Sequence, residues 1–333
     1  MKVRDYLANV FDGMAKGLFS SLIIGVIINR IGIVTRIELI EEIGRMAQFL
    51  MGPGIGIGVA YKLHVKQFTL ISAAVAGALG AGTFSLVDGV WRAGVGEPVG
   101  AMIAALCAVE IARLVEGRTK FDLLVVPGVV LSVGGLMGTF VSPTIAQVLG
   151  YVGSFVNSIT ALQPLVMGLL LGVIVGMLLT APVSSAAICI AIGIDGLAAG
   201  AALAGCCAQM IGFAVISFRE NRIGGLISQG LGTSMLQVPN IIKNPLIWVP
   251  PTIASAVCGV LSTMVFGMMT DSVGAGMGTS GLVGQFTTIA VMGGASLPAI
   301  IILHFIVPIV VTLPIAELMR KQGMIKPGDL KLS

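Results

Sequence analysis

The sequence predicts an all-α integral membrane protein that crosses the bilayer many times. Three observations support this fold class: 56% of the 333 residues are hydrophobic, only 10% are charged, and 46 are glycine. A soluble domain carries about 25% charged residues, and its interior is too small to hide so much apolar surface. Frequent glycine also fits membrane helices, whose backbones approach one another closely at small residues.

Apolar segments of roughly 20 residues, the length that a spanning helix needs, recur along the chain. The long ones are 17–34, 67–87, 98–115, 121–141, 164–182, 197–218, 250–269 and 297–318. Shorter segments interrupted by glycine lie at 47–63, 181–194, 224–240 and 274–293. Broken backbone at membrane depth persists only where protein or a water-filled cavity satisfies its polar groups, so we expect some of these to be re-entrant. The prediction is about ten transmembrane helices in total, with broken segments among them.

The distribution of basic residues predicts the orientation. They flank both ends of the apolar region, as Lys2, Arg4 and Lys16 before it and Arg320, Lys321, Lys326 and Lys331 after it. The positive-inside rule then places both termini in the cytoplasm and requires an even number of spans. Lys62 and Lys66 indicate one cytoplasmic turn, and Arg113, Arg118 and Lys120 another. The mixed-sign segment 36–45 is expected to lie at the membrane interface, and no cleavable signal peptide is expected.

An internal repeat is predicted within what we expect to be a single membrane domain, 1–333. Four pieces recur in the same order: 21–30 with 168–177, 52–61 with 181–190, 96–98 with 219–221, and 123–138 with 246–261. We interpret 15–145 and 162–270 as two inverted repeats, followed over 271–333 by a glycine-rich re-entrant segment, a last helix and a cytoplasmic tail. Inverted repeats place the substrate site at their interface. Chance similarity among glycine-, alanine- and valine-rich helices is the alternative.

The richest set of polar side chains in an apolar setting lies in the segment 220–244. Amides and hydroxyls with a carboxylate suit hydrogen bonding to a sugar or polyol, and polar groups at membrane depth are usually functional. The candidate substrate-binding residues are Glu220, Asn221, Gln229, Thr233, Ser234, Gln237, Asn240 and Asn244. The alternative is a cytoplasmic loop that touches lipid headgroups.

Two further regions add candidate substrate-binding residues. Glu97 begins an apolar span directly before Pro98, where its carboxylate could accept bonds from two vicinal hydroxyls or could simply favour the helix N-terminus. The glycine-rich run 274–285 carries Thr279, Ser280 and Gln285, and it lacks the Gly-Lys-Ser/Thr ending of a phosphate loop.

Three isolated ionisable residues are candidates for coupling transport to an ion: Glu110, Asp195 and His304. Glu110 could instead pair with Arg113 three residues later, and His304 could be a satisfied hydrogen-bond donor between helices. The five cysteines lie in apolar stretches without ligand spacing, so no metal site and no cofactor are expected. No catalytic residue is predicted, because no nucleophile, base or nucleotide-loop pattern is present.

The runs at 224–255 and 274–285 closely resemble the PfoR-like branch of the phosphotransferase-system (PTS) enzyme IIC proteins, and the likeness covers nearly the whole chain. GVGEP at 94–98 is similar to the glycine–glutamate–proline sugar-binding motif of other IIC families. By this resemblance Glu97 would hold sugar hydroxyls near the reacting one. The resemblance implies a membrane subunit that binds an outside sugar and presents it to a cytoplasmic IIB partner carrying a phosphocysteine or phosphohistidine.

The function predicted is inward translocation of a small polar solute, a sugar, with phosphorylation by separate cytoplasmic partner proteins. The chain would then be at most the membrane subunit of a protein-phosphohistidine–sugar phosphotransferase, located in the cell membrane. A homodimer could form, as in related IIC proteins, and no nucleic acid is expected to bind. The alternatives are an uncoupled or ion-coupled transporter of another small solute and a membrane sensor that regulates gene expression.

Overall fold

A computed structural model describes residues 3–332, and it confirms the all-α membrane fold. Helices make up 81% of the chain. Six helical segments in the described part are long and apolar enough to cross a membrane: Asp5–Ile33, Pro98–Val115, Asp122–Thr160, Gly196–Ile216, Pro245–Phe266 and Gly294–Lys321. Shorter apolar helices are Gln67–Ala81, Pro164–Thr180 and Ser280–Met292. The count of ten spans stays a prediction.

The chain divides into two compact units, Met1–Val148 and Leu149–Ser333. The division falls between the two predicted repeats, whose relationship stays a prediction. The elements of the first unit are α1 Val3–Leu18, α2 Ile24–Thr35, α3 Glu38–Phe49, α4 Met51–Lys62, α5 Gln67–Ala81, β1 Phe84–Val87, β2 Val90–Ala93 and α6 Pro98–Val115. The helix α7, Asp122–Thr160, contains the boundary, and a π-helical turn, Phe19–Ile23, joins α1 to α2.

Close backbone contact organises the first unit. The backbones of Gly13 and Gly17 in α1 lie directly against those of Gly58 and Gly54 in α4, so the two helices run antiparallel and a Cβ at these positions would overlap backbone atoms. Helices in a membrane associate through such close packing, because the surrounding lipid leaves no hydrophobic driving force between them. α4 packs on α5 and α6 in turn, and α3 packs along α2. The predicted interfacial segment 36–45 thus falls mostly in an amphipathic helix, α3.

One predicted span needs correction. The apolar segment 67–87 is not a single helix, because α5 ends at Ala81 and Gly82 takes a left-handed conformation with φ 66°. The chain then forms the antiparallel hairpin β1–β2, in which Leu86 pairs with Trp91. Phe84, Leu86, Val90 and Trp91 of this hairpin are exposed, Trp91 by 70%, and such apolar residues raised the hydropathy of the segment without belonging to a helix.

The second unit is more fragmented. Its α-helices are α8 Pro164–Thr180, α9 Ser185–Ala191, α10 Gly196–Ile216, α11 Phe218–Ile227, α12 Val238–Lys243, α13 Val249–Leu261, α14 Ser272–Ala275, α15 Val283–Met292, α16 Leu297–Ile301 and α17 Val307–Lys321. Between them lie π-helical turns at Ser228–Gly232, Ser262–Phe266 and Ile302–Ile306, and 3₁₀ turns at Ser234–Gln237, Pro245–Trp248, Ser280–Leu282 and Gly294–Ser296. The predicted breaks in 224–240 and 274–293 are present.

The helix α10 forms the centre of this unit. Almost all of it is buried, and α8, α13 and α17 pack around it. Its side chains are mostly alanine, glycine and cysteine, which lets neighbouring backbones come close. Where α10 crosses α8, the backbone of Gly205 touches that of Gly172, and no Cβ would fit there.

Candidate functional site

The predicted site residues divide between the two units. Glu97 and Glu110 lie in the first, and all the others lie in the second. Glu97 is the N-cap of α6: its carboxylate accepts from the backbone N–H of Val99 at 3.4 Å, and its own N–H donates to the carbonyl of Ala81 at 2.9 Å. The carboxylate is half-buried beside the hairpin that precedes it. Glu97 therefore stabilises the start of α6.

Glu110 has the ion pair that the sequence suggested as the alternative. Arg113 donates to its carboxylate at 2.6 Å, and Tyr6 donates to the same oxygen at 2.7 Å. Arg113 also donates to the carbonyl of Leu63, which ties α6 to the end of α4. Asp195 is exposed at the N-cap position of α10, and its side chain makes no capping bond there. Neither geometry adds support to a coupling role.

Most amides of the 220–244 segment hold the C-terminal segment 324–332. Glu220 accepts from the N–H groups of Gly328 and Leu330 at 3.1 and 2.9 Å. Asn221 binds the same stretch in both directions, donating to Leu330 at 2.8 Å and accepting from the N–H of Leu332 at 2.8 Å. These polar groups are therefore occupied by the protein's own backbone.

The later amides of the segment 220–244 extend this network of hydrogen bonds. Asn244 donates to the carbonyl of Met324 at 2.9 Å, and Asn240 to that of Lys331 at 3.0 Å. Asn240 also donates to Gln237 at 2.8 Å, and Gln237 donates to Gln229 at 2.8 Å. Gln229 and Gln237 are fully buried. A solute could reach these side chains only by displacing the tail.

Thr233 and Ser234 have local and interhelical roles. The Thr233 hydroxyl accepts from the N–H of Met235 at 3.1 Å and so caps the 3₁₀ turn that follows it. The Ser234 hydroxyl lies 2.7 Å from that of Thr180, and both are buried. The Thr279 hydroxyl donates to the carbonyl of Gly230, which attaches the glycine-rich loop to the π-helical turn Ser228–Gly232.

The buried pair of Gln285 and His304, together with Ser280, is the part of the predicted site with polar atoms that lack hydrogen-bond partners. The amide nitrogen of Gln285 lies 3.3 Å from Nδ1 of His304 and 3.3 Å from the sulfur of Cys207. Gln285 is 6% exposed and His304 is fully buried. Within residues 3–332, Gln285 Oε1, His304 Nε2 and the hydroxyl of Ser280 have no hydrogen-bond partner. Buried polar atoms usually have partners, so such atoms in a native fold call for an explanation.

The local backbone explains how His304 is presented. It lies in the π-helical turn Ile302–Ile306 between α16 and α17. A π-helical turn inserts an extra residue into a helix, and such turns are frequent at functional sites. Gln285 lies on α15, directly after the glycine-rich loop in which Gly278 and Gly281 have positive φ. The two irregular segments bring the two polar side chains together inside an apolar unit.

A second buried network was missed by reasoning from sequence. Gln209 in α10 accepts from Thr180 at 3.2 Å and from the indole of Trp248 at 3.0 Å, and it donates to Thr252 at 3.3 Å and Ser255 at 3.2 Å. It was detectable, because it is the one amide in the apolar span 197–218. All its polar atoms have partners, which indicates a role in packing rather than in binding.

Nearly the whole chain matches a known protein family. The family model described as "Phosphotransferase system, EIIC" matches residues 8–332. The chain belongs to this family. The membership establishes an EIIC component, a membrane transport subunit of the phosphotransferase system, as the resemblance had indicated. Neither curated proteins nor solved structures gave a significant match to this EIIC chain.

Proposed function

We propose that this EIIC protein translocates a sugar, and that the Gln285–His304 pair binds one of the sugar hydroxyls. The pair carries the proposal because it combines burial with unused hydrogen-bonding capacity. If the Gln285 amide donates to Nδ1, then His304 Nε2–H is a free donor and Gln285 Oε1 a free acceptor. If the amide is flipped, the two roles are exchanged. In both cases one donor and one acceptor remain, which matches a hydroxyl group.

Neutral groups of this kind suit a polyhydroxylated solute better than an ion. Among the described residues, the thiol of Cys207 is the other group bonded to the pair, and no carboxylate or ammonium is bonded to it. Burying an isolated charge beside them would be costly, whereas a hydroxyl loses little by exchanging water for the pair. Ser280, also unsatisfied and on the same glycine-rich loop, is a further candidate ligand.

Glu97, in the first unit, is a separate proposal for solute binding, as the similarity of GVGEP at 94–98 to the sugar-binding motif of other IIC families implies. Its carboxylate caps α6 by accepting from the N–H of Val99, and the adjoining Gly96 is held at φ 79° against the end of α5. Family membership supports coupling to a cytoplasmic IIB-type partner. In that coupling the sugar hydroxyl attacks the phosphoryl group of the partner's phosphocysteine or phosphohistidine. The new O–P bond replaces the S–P or N–P bond, and the hydroxyl proton passes to solvent.

The test is a thermal-shift screen of the purified protein in detergent against sugars, polyols, sugar acids, nucleosides and amino acids. A native ligand raises the unfolding temperature by mass action. We expect a sugar to do so, and we expect Gln285→Met to abolish the shift because it removes the free acceptor while conserving volume. Gln147→Met is the matched control, since Gln147 is exposed on α7.

Two results would overturn the proposal. One is a hit from a different chemical class with no response to any sugar. The other is a sugar-induced shift that persists unchanged in Gln285→Met. The coupling is tested separately by adding phosphorylated cytoplasmic carrier proteins to membrane vesicles and measuring sugar phosphate.

A further inference from the structure

The C-terminal segment 324–332 lies across the irregular segment 218–244, and most hydrogen bonds between the two join a side chain of 218–244 to a backbone group of the tail. Glu220, Asn221, Gln237, Asn240 and Asn244 supply the side chains. They contact both N–H and C=O groups of the tail, and Asn244 also donates to the Asp329 carboxylate at 2.7 Å, so they recognise mainly the backbone of the tail. Two apolar side chains, Ile325 and Leu330, anchor the tail in the interior with 2% and 0% exposure.

The segment beneath the tail contains a strained residue. Arg222 has φ 52° and ψ −151°, inside what is otherwise the helix α11. This region of backbone space is essentially restricted to glycine, and a residue with a side chain stays there only where its surroundings impose it. The Arg222 side chain is exposed, so its burial does not provide that constraint.

The contacts of the tail lie on both sides of this residue. Glu220 and Asn221 directly precede Arg222. Gln237 and Asn240 follow it, after the π-helical turn Ser228–Gly232. Both groups converge on Leu330, whose N–H donates to Glu220 and whose carbonyl accepts from Asn221 and Gln237. The tail thus bridges the two sides of the distorted backbone.

The bridged segment also contacts the parts of the unit that carry its buried polar groups. The carbonyl of Gly230 accepts from Thr279 in the glycine-rich loop, and Ser234 contacts Thr180 in α8. Movement of the segment would therefore break bonds to both.

From these contacts we propose that residues 324–332 form a strap that holds the 218–244 segment in a strained conformation, and that releasing the strap lets Arg222 relax and the segment detach from the glycine-rich loop. The strap is independent of which solute the protein carries. Its natural trigger would be any event at the tail that competes for the backbone groups of 328–332.

Hydrogen exchange measured by mass spectrometry on the full-length protein in detergent tests the strap. Asn221→Asp places a carboxylate oxygen opposite the carbonyl of Leu330 and loses one donor. We expect amides of 328–332 to exchange about tenfold faster, as loss of one hydrogen bond of ordinary strength produces. We expect amides of 223–237 to accelerate with them. A chain ending at Asp329 lacks Leu330 and its contacts, so it should accelerate exchange of 223–237 in the same way and serves as a second variant.

Strain is tested by adding glycine at the distorted position. Glycine adopts the Arg222 backbone conformation without strain. In the double variant N221D/R222G the tail should stay unprotected, while exchange in 223–237 returns towards the wild-type rate. Arg219→Gly is the matched control: it lies in the helical part of the same element, so it should accelerate exchange instead.

Either of two results refutes the strap. Exchange of 223–237 could stay at the wild-type rate when the tail is released, which would make the tail a passive terminus. Alternatively, the double variant could exchange as fast as N221D alone, which would mean that Arg222 stores no strain.

Discussion

Gln209 shows how a single buried amide can organise a membrane unit. It joins α10 to α8 and α13 through Thr180, Trp248, Thr252 and Ser255, and it is fully buried. The Trp248 indole donates to Gln209 and, among the described residues, to no other group. Hydrogen bonds between helices in a membrane contribute about 0.6 kcal/mol each.

Replacing Gln209 by leucine should therefore lower the free energy of unfolding by about 2 kcal/mol, the sum of four such bonds. The measurement is reversible unfolding in mixed micelles, with Gln147→Leu on the exposed face of α7 as the control. If the free energy of unfolding of Gln209→Leu equals that of the wild type, the network contributes no more to stability than apolar packing does. Sugar-induced stabilisation should persist in this variant, because Gln209 is distinct from the Gln285–His304 pair.

Unusual side chains can be recognised from the sequence, but their partners in the fold cannot. Gln285 and His304 were both recognised as polar groups in apolar segments, yet their contact depends on a π-helical turn that no local pattern predicts. The sequence predicted that the amides of 220–244 bind a solute. Their hydrogen-bond partners are backbone groups of 328–332, which lie about a hundred residues away in the sequence. Backbone carries no side-chain signal, so such a partner cannot be inferred from composition.

Close glycine contacts determine which helices can pair. In the C-terminal unit, Gly172 and Gly205 bring α8 and α10 into backbone contact, and Gly259 of α13 packs beside Gly172. A methyl group at Gly205 would overlap the backbone of Gly172, and two packed helices must separate to accept it. Gly128 in α7 differs, because a Cβ there would meet no described atom within 4 Å.

Gly205→Ala should therefore destabilise the protein by about 1–3 kcal/mol, the usual cost of overpacking. Gly128→Ala should be neutral or slightly stabilising, because alanine favours helix over glycine. Thermal unfolding followed by circular dichroism in detergent distinguishes the two. Equal unfolding temperatures for both variants would show that α8 and α10 do not depend on this close approach.

The hairpin β1–β2 shows a sequence signal that hydropathy conceals. Asp88 and Gly89 both have positive φ, which is the requirement of a two-residue hairpin turn, and Asp-Gly between alternating apolar residues is a strong indicator of one. The apolar segment 67–87 was long enough to suggest a span and so obscured that signal. By contrast, the breaks in 224–240 and 274–293 were predictable, because clustered glycine and proline interrupt helices whatever their surroundings.

The contacts and charges of the N-terminal unit predict its orientation in the membrane. Its helices bring two turns to the same end, since Arg113 donates to the carbonyl of Leu63 and Thr69 donates to Glu116. Lys62 and Lys16 both pair with Asp12 near this end. The opposite end of α5 and α6 carries the hairpin, where Gly80 touches the backbone of Gly100.

The charge difference between these two ends predicts their sides. The first end carries six cations: Lys16, Lys62, Lys66, Arg113, Arg118 and Lys120. The hairpin carries one cation, Arg92, with Asp88 beside the turn. Because basic loops are retained in the cytoplasm, we expect the turns at 62–66 and 113–120 to be cytoplasmic and the hairpin to face outward.

Labelling of single introduced cysteines tests this orientation. Ser85 and Lys120 are exposed at opposite ends, whereas four of the five native cysteines are buried and Cys107 is half-buried. A membrane-impermeant thiol reagent added to intact cells should label Ser85→Cys and leave Lys120→Cys unlabelled until the membrane is permeabilised. The unmodified protein measures background from the native cysteines. Labelling of Lys120→Cys alone in intact cells would show the reverse orientation. Labelling of both would show that the two ends are not separated by a bilayer, which would contradict α5 and α6 as a spanning pair.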